Sequence, residues 1–254
     1  MSKPLATRVR RAMARVLALP AAILPTSVLE EVAVDMVIRR ARRLPADHAL
    51  RLMFNVDTRL YDEQGHQAVR YGQGVHTKHR HLRYHDFFVA RIRPEDRVLD
   101  VGCGIGAVAH DVAERSGATL VAIDLDARNI ARARQEHAHP RVTYVVGDIL
   151  RGLPGDTFDV VIISNVLEHL VERAATLRRV AQVAGAKRIL IRVPLFERDW
   201  RVPLKQELGI EWRLDADHQT EYSVEQFRAE VTEAGLAVKH LEVRWGEIWA
   251  EAVH

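Results

Sequence analysis

Three glycines stand at alternate positions behind an acid. Val98 to Gly106 reads Val-Leu-Asp-Val-Gly-Cys-Gly-Ile-Gly, with Asp100 ahead of Gly102, Gly104 and Gly106. Glycine at every second position leaves a loop backbone with no side-chain wall, so a flat ligand can lie against it. The run opens as an aliphatic strand, which puts Asp100 at the carboxyl end, where open α/β sheets place their ligands. A helical pattern follows from Ala107 to Arg115, so the loop also opens onto a helix N-terminus. Gly-x-Gly-x-Gly is not the dinucleotide fingerprint Gly-x-Gly-x-x-Gly, which argues against a nicotinamide oxidoreductase.

Two further acids follow in register. Asp124 closes the apolar run Thr119 to Ile123, 18 residues after Gly106. A carboxylate there can accept hydrogen bonds from both hydroxyls of a ribose. Helix capping is the competing use, and Asp126 is the better cap, which leaves Asp124 for the ribose. Val146-Gly147-Asp148-Ile149 ends a third apolar run. A fourth runs through Val160-Val161-Ile162-Ile163 into Ser164-Asn165-Val166-Leu167-Glu168-His169.

These four blocks, in this order, resemble the motifs of the class I S-adenosyl-L-methionine (SAM) dependent methyltransferases, over roughly Arg97 to Val193. The resemblance implies SAM as cofactor, held at Asp100, Gly102, Gly104 and Gly106. It places Asp124 on the ribose, Asp148 on the adenine amine and the Ile149 amide against the ring, with Leu125 and Asn165 also at the cofactor. The implied reaction is in-line attack on the sulfonium methyl. Such an enzyme holds two reactants at near-attack geometry, and needs a general base when the nucleophile is a hydroxyl.

His169 and His218 are the candidates for that base. The resemblance also raises a metal site. Ubiquinone O-methyltransferases and small-RNA 2′-O-methyltransferases carry Glu-x-x-Glu-His after the fourth strand as metal ligands. The RNA enzymes add a later histidine in an Asp-His-x-x-Glu-aromatic setting. Here the blocks are Asn165-x-x-Glu168-His169 and Asp217-His218-Gln219-Thr220-Glu221-Tyr222. A magnesium-type ion could take Glu168 and an Asn165 oxygen. Asn165 stands where the first glutamate would be, so the set loses one negative charge. Glu168, His169 and His218 are therefore the divalent-metal candidates.

The elements that must position these residues alternate strand and helix from Arg97 onward, with a terminal strand pair around Trp245-Gly246. That order predicts a doubly wound, mostly parallel, seven-stranded Rossmann-like sheet, its antiparallel strand supplied by the terminal pair. The division expected is a basic helical extension at 1–70 and a SAM-binding domain at 71–254. An excursion at 194–222 lies on the substrate side; the stretch Arg192 to Trp200 leads into it and Trp212 lies within it, and Trp with Arg suits sugar or anion recognition, the aromatic face stacking on a ring. His76, His79, His81 and His85 lie in a helical stretch ahead of the first strand. They suit a cap over the cofactor or over an anionic substrate better than zinc, because Lys78, Arg80 and Arg83 would repel a cation.

Residues 1–50 hold nine Lys and Arg against four Asp and Glu. The apolar stretch Val16 to Leu24 is broken by Pro20 and is far shorter than the roughly 20 residues of a spanning helix. Residues 1–45 therefore read either as helices packed on protein or as a peripheral contact with an anionic membrane. The single cysteine, Cys103, cannot form an intrachain disulfide, so the expectation is a cytoplasmic protein, peripheral at the membrane at most. The leading functional expectation is O-methylation of a polar small molecule, a sugar or a glycan precursor. RNA 2′-O-methylation and a non-catalytic SAM-binding module are the alternatives. Nucleic acid ranks low because no aromatic-interleaved basic patch is present.

Overall fold

The computed structural model describes residues 5–151 and 157–254. Lys3 of the basic extension lies outside them, as do the side chains of Arg8, Arg10 and Arg11. The chain divides into two compact units, Met1–His66 and Gln67–His254.

The first unit is helical. α1 spans Leu5–Ala18, α2 Thr26–Ala41 and α3 Ala46–Tyr71, which runs on past the division. Prolines set the breaks. Pro20 sits in a 3-10 turn, and Pro25 immediately precedes α2. No helix among the described residues is long and apolar enough to cross a membrane.

The second unit is a seven-stranded sheet flanked by helices. Two short helices, α4 (Lys78–Leu82) and α5 (Tyr84–Val89), lead into β1 (Arg97–Val101). Then come α6 (Ala107–Ser116), β2 (Thr119–Asp124), α7 (Ala127–Glu136), β3 (Val142–Val146), β4 (Val160–Ser164), α8 (Arg173–Ala184) and β5 (Arg188–Pro194). The excursion after β5 contains α9 (Arg201–Glu207). The chain ends with α10 (Val224–Glu233), β6 (Ala237–Arg244) and β7 (Glu247–Val253). The sheet order is β3-β2-β1-β4-β5-β7-β6. The first five strands are mutually parallel, and β7 is antiparallel to both β5 and β6. The order reverses between β1 and β4, which is where such sheets open a crevice.

Strand residues alternate between two core layers. Val160 and Ile162 of β4 join Val98, Phe88, Val112 and Trp249 on one face. Val161 and Ile163 join Leu99, Leu177, Phe227 and Ile248 on the other. These four of the five β4 residues are fully buried, the expected pattern for a strand covered on both sides. Each such side chain contributes about 1.5–3 kcal/mol relative to exposure. The β6–β7 turn takes positive φ at both Trp245 and Gly246, the geometry that matches strand twist in a tight hairpin.

One stretch departs from the expected order. The histidine-rich segment ahead of β1 is two helices, because Arg83 adopts φ 52° between them. The break turns α5 so that Tyr84, Phe87 and Phe88 are buried in the β1 face of the core.

Candidate functional site

The glycine loop joins β1 to α6 at the crevice. Gly102, Gly104 and Gly106 all have positive φ (68°, 54° and 83°), the region that suits glycine. Their reasons differ. A Cβ on Gly102 would meet Val166 Cγ2 at 2.5 Å, and one on Gly106 would meet the Tyr144 ring at 2.6 Å. A Cβ on Gly104 would meet nothing within 4 Å. Gly102 and Gly106 are thus required by protein packing, while Gly104 faces open space.

Asp100 is buried, and its Oδ2 has no hydrogen-bond partner among the described residues. Burial, reinforced by the charge of Asp124, pushes its pKa up to about 7. A buried carboxyl left in this state is poised for a cationic partner. Cys103 packs beside it, and burial raises its thiol pKa, so it is not a reactive thiolate.

Asp124 sits at the end of β2, as expected, but its carboxylate is not free. Oδ2 accepts the Gly104 N–H at 2.8 Å, and Oδ1 accepts the Asp126 N–H at 2.8 Å and the Asn129 amide at 3.3 Å. It therefore also fixes the glycine loop. Asp126 does cap α7, accepting from the Arg128 N–H at 2.8 Å. Leu125 is 76% exposed beside it. Asp148 accepts the Leu150 N–H at 2.9 Å at the start of a 3-10 turn, in which Ile149 is buried. Asn165 takes φ 55° and donates its N–H to Arg192 O at 2.8 Å.

On the acceptor side, the excursion is laced back onto the 3-10 turn Leu167–His169 that follows β4. Gln219 and Thr220 donate their N–H groups to Glu168 O at 2.7 and 3.3 Å. That seats His218 beside Glu168 and His169. Among the described residues these three form one group able to hold a metal ion, with ligand atoms all within 4.8 Å of one another. The histidine rings are 4.7 Å apart and nearly perpendicular. His218 Nδ1 lies 3.1 Å from Glu221 Oε1, and His169 Nδ1 lies 3.3 Å from Asp217 Oδ1. Each Nδ1 is thus held by a carboxylate, leaving Nε2 to face a ligand, the arrangement in which histidines bind metals.

Glu168 is fully buried, and neither carboxylate oxygen has a hydrogen-bond partner among the described residues. Burial raises its pKa to about 7. Burial alone would lower the His218 pKa, but the Glu221 hydrogen bond and the Glu168 charge outweigh it, and the pKa is raised. Glu221, also buried, would be raised by burial. Its bonds to His218, the Leu214 N–H and Arg198 hold it low instead.

Several residues here take roles that the sequence did not assign to them. Glu221 is the hub of the excursion, gathering His218, the Leu214 N–H and Arg198. Arg192 is buried in β5, forks onto Glu247 of β7 and lies 3.9 Å from the centre of the Tyr84 ring. A charged residue inside the apolar run Arg188–Pro194 was the available signal, since buried arginines must be paired. Of the two tryptophans expected to stack on a substrate ring, Trp212 packs edge-on against Phe196 at 5.1 Å. Trp200 is the exposed aromatic, at 71%. The histidines at 76, 79, 81 and 85 form no metal-sized group among the described residues.

Comparison with known proteins agrees with this geometry. A family model described as a methyltransferase domain matches residues 74–241. A ubiquinone biosynthesis O-methyltransferase of Rhodopseudomonas palustris (strain HaA2) is 31% identical over 165 residues, covering 59% of this chain and 64% of that protein. Another from Bradyrhizobium sp. (strain ORS 278) is 32% identical over 120 residues, covering 46% of this chain and 47% of that protein. The chain thus spans about half to two thirds of the length of these relatives. The crystal structure of magnesium protoporphyrin IX methyltransferase from Synechocystis PCC 6803 with bound SAH matches with a TM-score of 0.55. It does so at 19% identity, over 68% of this chain and 83% of that one, a likeness of fold. With a matching domain over most of its length and SAM-binding motifs in order along the crevice, the chain belongs to the class I SAM-dependent methyltransferases.

Proposed function

We propose that this protein transfers the methyl group of SAM to an oxygen of a small-molecule acceptor, activated at Glu168, His169 and His218. The observation that carries this reading is the Glu168 carboxyl, buried with both oxygens unpartnered between two carboxylate-braced histidines. A site for transfer to a nitrogen would not need such an arrangement to remove a hydroxyl proton. The printed names of the two relatives described above, both ubiquinone biosynthesis O-methyltransferases, support the oxygen acceptor.

SAM supplies the electrophilic methyl carbon. The open side of Gly104 would receive the cofactor, Asp100 its cationic end and Asp124 its ribose. Asp148, the Ile149 amide and Leu125 would border the adenine, and Asn165 the methionine side. Asp124 has accepted three protein hydrogen bonds, so the ribose would share its oxygens with the Gly104 N–H. Glu168, with its pKa near 7, is matched to accepting a hydroxyl proton at neutral pH, and His218 lies close enough to stabilise the carboxylate.

The donor set also fits a divalent cation. Two imidazole nitrogens and one carboxylate suit zinc or manganese better than the magnesium-type ion suggested by sequence. Such an ion would lower the pKa of a bound acceptor hydroxyl and fix its direction. Glu168, His169 and His218 would hold it, braced by Glu221 and Asp217.

The test is incubation with methyl-labelled SAM and fractionated cell extract, followed by identification of the methylated atom. A methylated oxygen is expected. A product methylated on nitrogen or carbon, or no labelled product, would overturn the reading.

We also propose that residues 1–45 touch an anionic membrane surface. Val9, Met13, Val16, Leu19 and Ile23 are exposed, the last at 84%, in a segment whose only described charge before Glu30 is Arg15. Apolar and cationic residues on one helical segment are what such surfaces attract. Flotation with anionic but not neutral vesicles is the expected result, and flotation with neither would sink the idea.

A further inference from the structure

α2 is apolar on more sides than this chain covers. Val28, Leu29, Val32, Val34, Met36 and Ile38 are spread around the helix, yet none of its 16 residues is buried. Within α2 only Leu29, Val37 and Ala41 are partly covered, and they share one face. A helix that is apolar all round is ordinarily buried, so the remaining faces of α2 call for a partner from outside the chain.

The charges along α2 specify that partner. Acids come first, at Glu30, Glu31 and Asp35, and bases follow, at Arg39, Arg40, Arg42 and Arg43. Asp35 and Arg39 satisfy each other within the helix at 3.0 Å. Glu30 and Arg42 make no ion pair among the described residues. Residues four apart form one ridge on a helix surface, and Glu30, Val34, Ile38 and Arg42 are such a ridge. Arg42 keeps helical dihedrals (φ −61°, ψ −15°), so the row continues through it. Val34 is 57% exposed and Ile38 36%. The ridge reads acid, apolar, apolar, base, and is therefore its own complement when reversed.

We propose that α2 is the contact surface of a homodimer, with this ridge packed antiparallel on the same ridge of a second copy. Val34 then meets Ile38 of the second copy, Glu30 meets its Arg42, and each contact occurs twice about a two-fold axis. Ridges of this kind pack with the helices crossing at about −50°. The central apolar contacts drive association, while the ion pairs at the rim set direction and register more than affinity. Parallel pairing would place Glu30 against Glu30 and Arg42 against Arg42, so the charges reject it. An anionic membrane is a poorer occupant, because a helix on such a surface carries cations beside its apolar face, and this ridge begins with Glu30 beside Glu31. The membrane contact proposed above rests on Val9 to Ile23, ahead of α2. The dimer is also independent of methyl transfer, since none of these four residues is among those proposed to hold SAM or the acceptor.

Sedimentation velocity of the full chain over a dilution series reads the state of association. A species of two chains is expected, and a monomer at every concentration would overturn the proposal. Glu30→Arg and Arg42→Glu each turn two attractions per dimer into two repulsions, and each should weaken dimerisation at least tenfold. Both side chains are exposed, so helix content and unfolding temperature should stay at wild-type values. Combining Glu30→Arg with Arg42→Glu in one chain exchanges the charges and should restore the dimer. A mixture of the two single variants, one carrying a mass tag, should form a heterodimer although neither pairs with itself. Val34→Asp should abolish the dimer without loss of helix content. Wild-type association in all these variants would put the interface elsewhere. A dimer lost in the single variants and not restored by the exchange would overturn the antiparallel pairing. A monomer that floats with phosphatidylglycerol vesicles, and ceases to float in Val34→Asp, would hand the ridge to lipid and overturn the dimer as well.

Discussion

The Glu168 carbonyl accepts the backbone N–H of Gln219 at 2.7 Å, although the two residues belong to segments separated by a helix, a strand and a long excursion. That bond decides where His218 stands. Neighbouring residues cannot drift without breaking a buried backbone contact, so the imidazole is delivered to the Glu168 carboxyl by main chain. The excursion after β5 is thus less a loose lid than a strap. It is tied at Leu195 to Tyr222 by a strand bridge and at its middle by Glu221.

Replacing Glu168 by Gln tests the proposed acceptor chemistry. The substitution keeps shape and burial but removes the base. Turnover should fall about 10²–10⁴-fold, the usual range for a positioned acid or base, with SAM affinity within a factor of two. Metal content after dialysis against zinc or manganese should fall in the same variant. Wild-type turnover after removal of the Glu168 charge would discard the base and the cation together.

The glycines offer a cleaner separation of fold from ligand. Gly106→Ala would drive a Cβ into the Tyr144 ring at 2.6 Å and strain φ 83°. Overpacking of that kind costs about 1–3 kcal/mol, and the left-handed conformation about 1–2 more. Gly104→Ala meets no atom within 4 Å, so only the backbone strain of about 1–2 kcal/mol remains. The expected result is a clearly lower unfolding temperature for Gly106→Ala. For Gly104→Ala, a folded protein with SAM affinity down at least tenfold is expected. Equal SAM affinity in Gly104→Ala and wild type would mean that the cofactor does not approach this backbone.

How much of this was readable in the sequence depends on whether the cause was local. β2, the start of α7 and the end of β3 fall where expected because each is set by neighbours in sequence: an apolar run closed by an acid, an aspartate cap and the limit of an apolar run. Asp100, Asp124 and Asp148 were found for the same reason, as acids closing apolar strands. The pairing of Arg192 escaped because its partners are remote. Glu247 is 55 residues away on an antiparallel strand, and Tyr84 lies on α5. Glu221 was seen only as part of a motif. Its role comes from a carboxylate, a histidine, a backbone N–H and Arg198 meeting in one buried place, which no spacing encodes. The split of the histidine-rich segment turns on a left-handed arginine, a conformation that arginine does not advertise.

Asp124→Ala should weaken SAM binding at least tenfold, and it should also loosen the glycine loop. The carboxylate holds the Gly104 and Asp126 N–H groups, so the variant loses two backbone anchors along with the ribose acceptor. Faster amide exchange at residues 102–106 in the ligand-free variant is therefore expected. Asp124→Asn keeps one oxygen for these contacts and should lie between the two. Unaltered affinity in Asp124→Ala would remove this residue from the ribose site.

Stability of the ligand-free protein should fall as pH rises from about 4.5 to 7. Asp100 and Glu168 ionise near 7 when folded, raised by burial from 3.8 and 4.5. In that window the folded chain binds more protons than the unfolded one, so each unit of pH costs the folded state free energy. The stability these two groups retain in acid is lost as pH climbs through their folded values, on the order of 3 kcal/mol for each group. Urea midpoints measured between pH 4.5 and 7.5 read this directly, and Asp100→Asn should remove about half of the slope. Ligands reverse it. A cationic group at Asp100 favours its carboxylate, so S-adenosylhomocysteine should stabilise more at pH 7.5 than at pH 5, releasing a proton as it binds. Calorimetry in two buffers of different ionisation heat measures that proton. Binding without proton release near pH 6, in a protein whose urea midpoint does not fall over the window, would show that Asp100 is already ionised in the ligand-free protein and would overturn this pH dependence.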